Sequence, residues 1–311
     1  MLRKLHYLRK DNTKFTLEII MKIDFIGNNK TLVAIPMYNV ENEISETIQS
    51  CINQKTKPDI LIIDNCSSDN SYQIAQNFKD LNENIYLLRN NINFGRVENW
   101  NKCLEIFYES HHKYIRFLFT GDTYESNCIE KTEDIFENHN NIAILISAYY
   151  FYRPNRSIAI SKINIPEGKY NLEYMIKKKL YPSRFSGALI SNCFNKAKMN
   201  NTYFNENYHG TATFTNEIIK NGHLYYSNEK LCNFKQQHRK NFYKESYYLL
   251  NIEKLFTAFL AIEKLNEFKK YHNFMKRNAI KNFLIYLLKY KFLPSRILFN
   301  SAKIIYRFFN K

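Results

Sequence analysis

Between residues 31 and 150 short apolar runs alternate with amphipathic ones, and that rhythm limits the fold more than any other feature of the chain. TLVAIP (31–36), DILIID (59–64), NIYLLR (84–89), KYIRFLF (113–119) and IAILISAYY (142–150) have strand length and are apolar nearly throughout. Such strands suit a parallel sheet covered on both faces. Between them stand ENEISETIQSCINQ (41–54), SYQIAQNF (71–78), RVENWNKCLEIFYES (96–110) and CIEKTEDIFENH (128–139). These read as helices; Ile44, Ile48 and Ile52, for example, recur at helical spacing. The alternation predicts an α/β fold, a Rossmann-like α/β/α sandwich with a mostly parallel sheet.

Beyond 150 the pattern loosens. GALISNC (187–193) reads as a strand, ATFTNEIIKNG (212–222) as a helix with a glycine stop, and HLYYSNEKLCNF (223–234) as two short strands. Residues 241–311 read as helical, broken at Pro294. With 311 residues, 45% of them hydrophobic, the chain can bury one large core and carry an appendage.

Charge divides the chain in the same way. The net charge is +16, yet residues 1–30 hold +4 of it. After Glu267 there are eleven Lys or Arg and no acid. The middle is therefore nearly neutral, which argues against a nucleic-acid partner, whose binding proteins carry their charge around the site. The expected organisation is a basic extension (1–30), a globular domain (31–235) and a basic helical region (236–311). Six cysteines form no C-x-x-C pair and read as reduced thiols. Residues 1–14 are basic without an apolar h-region, so no secretory leader is expected.

In open parallel sheets, ligands bind beyond the carboxyl ends of the strands. Here those ends carry Pro36-Met37-Tyr38-Asn39, Asp64-Asn65, Arg89-Asn90-Asn91 and Thr120-Gly121-Asp122. A lone carboxylate in a glycine turn, Asp122, suits Mg²⁺ or Mn²⁺ against a diphosphate; it equally suits a turn or helix cap.

Four stretches coincide in order: VAIPMYNVENEI, LIIDNCSSDNS, NNINFGRVENWNKCLE and YIRFLFTGDTYESNCIEK. Together they resemble the family 2 glycosyltransferases of GT-A fold, mostly inverting enzymes that use nucleotide-diphosphate sugars, over about residues 31–235. The resemblance implies that Pro36, Tyr38, Asn39 and Glu41 border the base and ribose and that Asp64 and Asn65 face the base. The family often has Asp-Asp where Asp64-Asn65 stand, which leaves the nucleotide open, a UDP-sugar being favoured. Gly95 and Arg96 would open a helix under the phosphates, where amides and a guanidinium favour an anion. Gly121-Asp122 occupies the metal motif with one carboxylate missing, and Asp122 would hold the cation.

Inverting transfer also needs a base. At the position implied for it stand Thr211 and Ala212, and neither serves near neutral pH. Another residue can take the role (His209, with Glu206 and Glu217 nearby in sequence), or the chain is an inactive relative that binds a nucleotide or glycan as a scaffold, or the register differs there. Sugar-nucleotide-forming enzymes share a similar sheet but usually carry a Gly-rich basic loop after the first strand, which MYNVENEI is not. His238 and Arg239 match loosely a segment that closes over the diphosphate in many relatives.

In the last 16 residues Arg296, Asn300, Lys303 and Arg307 line one helical stripe, and Ile297, Leu298, Phe299, Ile304, Ile305, Phe308 and Phe309 cover the rest. No apolar run approaches the roughly 20 residues of a spanning helix. A basic amphipathic helix lies on an anionic membrane or packs on a protein surface. The former fits a cytoplasmic transferase peripheral on the inner face of the membrane, acting on a glycan or lipid-linked acceptor. Deleting residues 293–311 is then expected to move the protein from the membrane to the soluble fraction; unchanged fractionation contradicts this.

Overall fold

The structure, a computed structural model, describes residues 28–153, 157–177, 189–204, 210–235 and 277. Four strands and three helices alternate first: β1 (Thr31–Met37), α1 (Ile44–Ile52), β2 (Asp59–Asp64), α2 (Ser71–Asp80), β3 (Ile85–Arg89), α3 (Arg96–Glu109) and β4 (Tyr114–Phe117). Then come β5 (Thr123–Tyr124), α4 (Cys128–Asn138), β6 (Ile142–Tyr152), β7 (Ile158–Ser161), β8 (Gly168–Tyr170) and α5 (Leu172–Lys177). A 3₁₀ turn (Leu189–Ser191) leads into β9 (Asn192–Asn195), α6 (Lys196–Met199), α7 (Gly210–Ile219) and β10 (His223–Lys235).

The sheet runs β3-β2-β1-β4-β9-β6-β10-β5, with β7 on β6 and β8 on β10. β1 pairs with β2 and β4 in parallel, as does β2 with β3. β9 is antiparallel to β4 and to β6, so β6 again points the same way as β4, and β10 is parallel to β6.

The period of two in β1 makes the sandwich. Leu32 and Ala34 pack on one face with Cys103, Leu104 and Phe107 of α3. Val33, Ile35 and Met37 pack on the other with Ile44 and Ile48 of α1 and Ala75 of α2. All seven β1 residues are buried, as expected for a strand covered on both faces. Burying each Leu or Ile contributes about 1.5–3 kcal/mol.

One buried group in this core is charged. Arg116 of β4 is fully buried, and among the described residues no carboxylate pairs with it. Its guanidinium donates to Thr132 Oγ1 of α4 (2.8 Å), to the Ile190 carbonyl (3.2 Å) and to Cys232 Sγ of β10 (3.4 Å), and lies over the Tyr124 ring of β5. A strand, a helix, a turn and two further strands therefore meet on one side chain. All six cysteines are free, five of them buried.

The structure departs from the sequence reading where turn signals mislead. HLYYSNEKLCNF is one long strand, not two, with a register shift between Ser227 and Lys230 inside β10. The strand expected at 187–193 is displaced to Asn192–Asn195 behind the 3₁₀ turn. The expected 1–30 and 236–311 regions, including the amphipathic stripe, lie almost wholly outside the described residues. Among the described residues no helix is long and apolar enough to cross a membrane.

At the opening ends of the strands, Asp59 and His112 are both fully buried. Asp59 Oδ1 accepts from Asn29 Nδ2 (2.8 Å), His112 Nε2 lies 2.8 Å from Asp59 Oδ2, and His112 Nδ1 lies 2.9 Å from the Ser110 hydroxyl. Burial lowers the His112 pKa; the Asp59 hydrogen bond and charge oppose this without reversing it, and the charges of His111 and Lys196 add to the lowering. The imidazole is thus neutral near pH 7. Its folded pKa lies below the unfolded value of about 6.5. Stability that is complete above that value is therefore lost as pH falls through the folded pKa, because the unfolded chain takes the proton first. The urea midpoint is expected to fall between pH 7 and pH 5, and His112→Gln to flatten that slope; equal slopes in both proteins contradict the assignment.

Candidate active site

The closing ends of β1, β2 and β4 form the candidate site. In β1, Ala34 O accepts from Leu118 and Met37 O from Asn65, so alternate residues address β4 and β2. Pro36 addresses the β4 side, beyond the last β1–β4 pair at Ala34–Phe117. Its missing N–H therefore leaves no gap in the ladder. Tyr38 follows and stands 46% exposed.

The loops after β1 and β2 latch together. Asn39 N donates to Ser67 Oγ (2.9 Å) and Asn39 Oδ1 accepts from Ser68 N (2.8 Å). Val40 N donates to Ser71 Oγ (2.7 Å), Glu41 N to Asp69 Oδ2 (3.1 Å), and Glu41 Oε2 accepts from Asn70 N (3.0 Å) at the start of α2. Burial would raise the Asp69 carboxyl, but hydrogen bonds from the Ser71 hydroxyl and amide and the Glu41 amide outweigh it and lower its pKa. Asn39 and Glu41 thus shape the loop that presents Tyr38.

Asp64 and Asn65, expected to face the base, are both buried and hydrogen-bonded within the protein. The Asp64 carboxylate accepts from Ser67 N (3.1 Å) and from its hydroxyl, and pairs with Arg89 Nε at 3.2 Å. Asn65 Nδ2 donates to Asn93 Oδ1 (2.8 Å) and Gly95 O (3.2 Å), while its Oδ1 accepts from Asn90 Nδ2 (2.9 Å) and Phe94 N (3.0 Å). An amide has two hydrogens and two lone pairs, and all four are engaged. Asn65 therefore holds the 90–95 loop. Lys102, which the sequence reading passed over, supports it from below: its ammonium donates to Asn90 Oδ1 (2.9 Å) and lies 3.7 Å from the Phe94 ring centroid.

That loop delivers the start of α3. Gly95 caps it at φ +83, a left-handed value that favours glycine. Arg96 is exposed, its guanidinium 5.3 Å above the Trp100 ring. A helix N-terminus led by an exposed guanidinium is suited to an anion.

Asp122 is 4% exposed in the turn between β4 and β5. Gly121, at φ +89, allows the turn. The Thr47 hydroxyl of α1 accepts from Gly121 N (3.0 Å) and donates to Asp122 O (3.1 Å). Asp122 Oδ1 accepts from Lys235 N (2.8 Å), the last residue of β10. A carboxylate has about four acceptor positions, so this bond is compatible with a cation on the same group. One hard carboxylate oxygen fits Mg²⁺ or Mn²⁺, with waters and phosphates supplying the remaining ligands.

Aromatic packing ties α7 to this edge. Trp100 lies 4.9 Å from Phe119 and 5.3 Å from Phe204, and Phe204 stacks on Phe214 of α7 at 4.1 Å. Asn101 grips Phe204 by both main-chain groups, 2.9 Å each. Thr211 lies in the first turn of α7, three residues before Phe214, and its carbonyl accepts from Thr215 Oγ1 (2.9 Å). Glu217 pairs with Lys220 at the opposite end of that helix. His209, Glu206, His238 and Arg239 lie outside the described residues, as does the side chain of Ala212.

Among the described residues burial raises two carboxyls, and neither sits at this edge. Glu105, raised to about 7 by burial and then by the Glu98 charge, lies nine positions into α3, roughly 13 Å along the axis from Arg96. Glu133 bonds Thr31 Oγ1 (2.7 Å) at the opposite end of β1. One group among the described residues has metal-ligand spacing, Asp59, His111 and His112 within 4.8 Å. It lies at the opening end of the sheet, and its buried members are already hydrogen-bonded to each other.

The model of glycosyl transferase family 2 matches residues 32–206. The chain is 33% identical over 129 residues to the minor teichoic acid biosynthesis protein GgaA of Bacillus subtilis (strain 168), covering 38% of this chain and 27% of that protein. It is 30% identical over 107 residues to that organism's putative teichuronic acid biosynthesis glycosyltransferase TuaG, covering 33% and 41%. The chain thus spans less than half the length of these relatives. Among solved structures, S. aureus TarS 1-349 in complex with UDP-GlcNAc superposes with a TM-score of 0.61 at 18% identity, over 84% of this chain and 73% of that one. The mannosyltransferase PcManGT from Pyrobaculum calidifontis, in complex with GDP-Man and Mn2+, gives 0.52 at 12% identity, over 93% and 85%. These likenesses share the fold with the chain. Its family model covers more than half of the residues, from β1 past the aromatic stack at Phe204, and the chain belongs to glycosyl transferase family 2.

Proposed function

We propose that this chain transfers one sugar, with inversion, from a nucleotide-diphosphate sugar to a glycan or lipid-linked acceptor of the bacterial envelope. The observation that carries the reading is the meeting of three elements at one sheet edge. These are exposed Tyr38, the Arg96-led helix start and the Asp122 turn. Tyr38 offers a ring against which a base can stack, with Pro36 and the Asn39–Glu41 latch fixing its loop. Arg96 and the α3 amides meet the diphosphate. Asp122 would hold Mg²⁺ or Mn²⁺, and the cation, when bound, offsets charge on the leaving diphosphate. The UDP and UDP-GlcNAc complexes of TarS support a UDP-sugar as donor, and the teichoic and teichuronic names of the relatives support an envelope acceptor. That setting, and the basic C-terminal stripe, support a cytoplasmic protein peripheral on the membrane.

A second reading is favoured by Thr211. A hydroxyl at the start of α7 is no base near neutral pH, so a chain without another base would bind its nucleotide as a scaffold and not turn it over. His209 is the residue that would distinguish the two.

Release of UDP, GDP or CDP from the corresponding sugars, with Mn²⁺, tests both readings. Transfer predicts release for one nucleotide. Arg96→Ala is expected to weaken donor affinity about 10- to 100-fold, the range of one charge-assisted contact of ~1.5–3 kcal/mol, with an unchanged melting temperature because the side chain is exposed. Binding without release supports the scaffold, and neither binding nor release contradicts the donor site.

A further inference from the structure

The far half of the sheet reaches the same edge as the candidate site. β6 ends at Tyr152 and β10 at Lys235, and these two residues pair. It is the Lys235 amide that the Asp122 carboxylate accepts, at 2.8 Å. One strand spacing, about 4.8 Å, therefore separates Tyr152 from the residue that holds the candidate metal ligand.

The period of two along β6 settles which face its last residues present. Tyr149 and Phe151 pack on the α1 side of the sheet, in the core of Ile44 and Ile48. Ile144 and Ile146 pack on the other side, with Cys103, Leu104 and Phe107 of α3. Tyr150 and Tyr152 continue the alternation from Ile144 and Ile146, so they stand on the α3 side. That is also the side on which Arg96 opens its helix and α7 packs through Phe214. In the antiparallel pair with β7, Tyr150 lies opposite Ile160 and Tyr152 opposite Ile158, and directly opposed residues share a face.

Two rings and two branched apolar side chains thus form one patch. Ile158 and Ile160 are 58% and 53% exposed, and both tyrosines are partly exposed. Among the described residues β7 pairs with β6 alone, and neither tyrosine hydroxyl has a hydrogen-bond partner. Contiguous exposed apolar groups mark a binding surface, whereas isolated ones do not. This patch is amphipathic, because each tyrosine has an apolar ring and a polar tip. A pyranose has the matching surface: a face of C–H groups that stacks on a ring, and a rim of hydroxyls that reaches the tip. Lipid chains would leave both hydroxyls buried and unpaired, at a cost.

We propose that Tyr150 and Tyr152, flanked by Ile158 and Ile160, form a stacking platform for a pyranose ring of the acceptor glycan. The proposal rests on the transferase reading, which requires an acceptor to arrive at this edge of the sheet. The platform sets how the glycan lies and takes no part in the bond-making step.

The test uses cellobiose, maltose and N,N′-diacetylchitobiose as ring probes and ribitol as an acyclic control. Binding is read by saturation-transfer NMR on the full chain, with UDP and Mn²⁺ present to fill the donor site. At least one ring probe is expected to bind through its C–H protons, and ribitol not to. Tyr152→Ala and Tyr150→Ala are each expected to weaken that probe about tenfold, whereas Tyr152→Phe keeps the ring and most of the affinity. UDP affinity is expected to stay unchanged in all three variants. No binding of any ring probe, equal binding of ribitol, or indifference to both alanine variants overturns the proposal. So does a dimer or a phosphatidylcholine-vesicle complex that Ile158→Ser combined with Ile160→Ser abolishes, since either gives the patch to another occupant. UDP affinity in the same samples separates failure of the platform from failure of the donor site.

Discussion

The Thr47 hydroxyl accepts one hydrogen bond from Gly121 and gives another to Asp122 O, so one side chain fixes both ends of the peptide that carries the candidate metal ligand. Thr47 is held there because Ile44 and Ile48, its neighbours on the buried stripe of α1, are locked against β1. From the other side the Asp122 carboxylate takes the last amide of β10, and Arg116 ties β10 to β4, α4 and the turn before β9. A buried ion costs several kcal/mol to desolvate. Three hydrogen bonds and the Tyr124 ring offset that cost, and the charge rewards one arrangement of these elements over others. The turn is thus braced by a helix, a strand and the core before any ligand arrives, which is what a preorganised site requires.

The same economy explains Asn65. A carboxylate at that position could not donate to Asn93 and Gly95, whereas the amide does so and still accepts from Asn90 and Phe94. The neutral side chain thus holds the loop that leads to Arg96. The β1 loop, latched to residues 67–71, leaves Tyr38 as its exposed ring.

Much of this was legible in the sequence. β1, β2, α2 and α3 lie within about two residues of their expected bounds, because strands buried on both faces and helices with an apolar stripe write their period directly into the chain. β5, β7 and β8 were missed. Two to four residues at a sheet margin carry too little periodicity, and Ile158 and Ile160 of β7 remain exposed. The expected division of 223–234 into two strands is a bulge at Ser-Asn-Glu-Lys within one strand, because polar residues mark bulges as well as breaks. At the candidate site, the strand-end rule named Tyr38 and Asp122 and the family resemblance named Arg96, but neither separates exposed from buried polar groups. Asn65 and Lys102 differ from Tyr38 only in burial, and burial at a loop base depends on partners distant in sequence.

The central claim is that Asp122 binds a cation for a nucleotide diphosphate and is not merely a brace for β10. The variant that separates these roles is Asp122→Asn, which keeps an oxygen for the Lys235 amide and removes the charge. Thermal stabilisation by UDP should be measured with and without Mn²⁺ in both proteins. A ligand at 100 times its Kd adds about 2.7 kcal/mol. The account predicts that the wild type gains a Mn²⁺-dependent shift, while Asp122→Asn melts at nearly the wild-type temperature and loses that shift. A variant that keeps the Mn²⁺-dependent shift would contradict it.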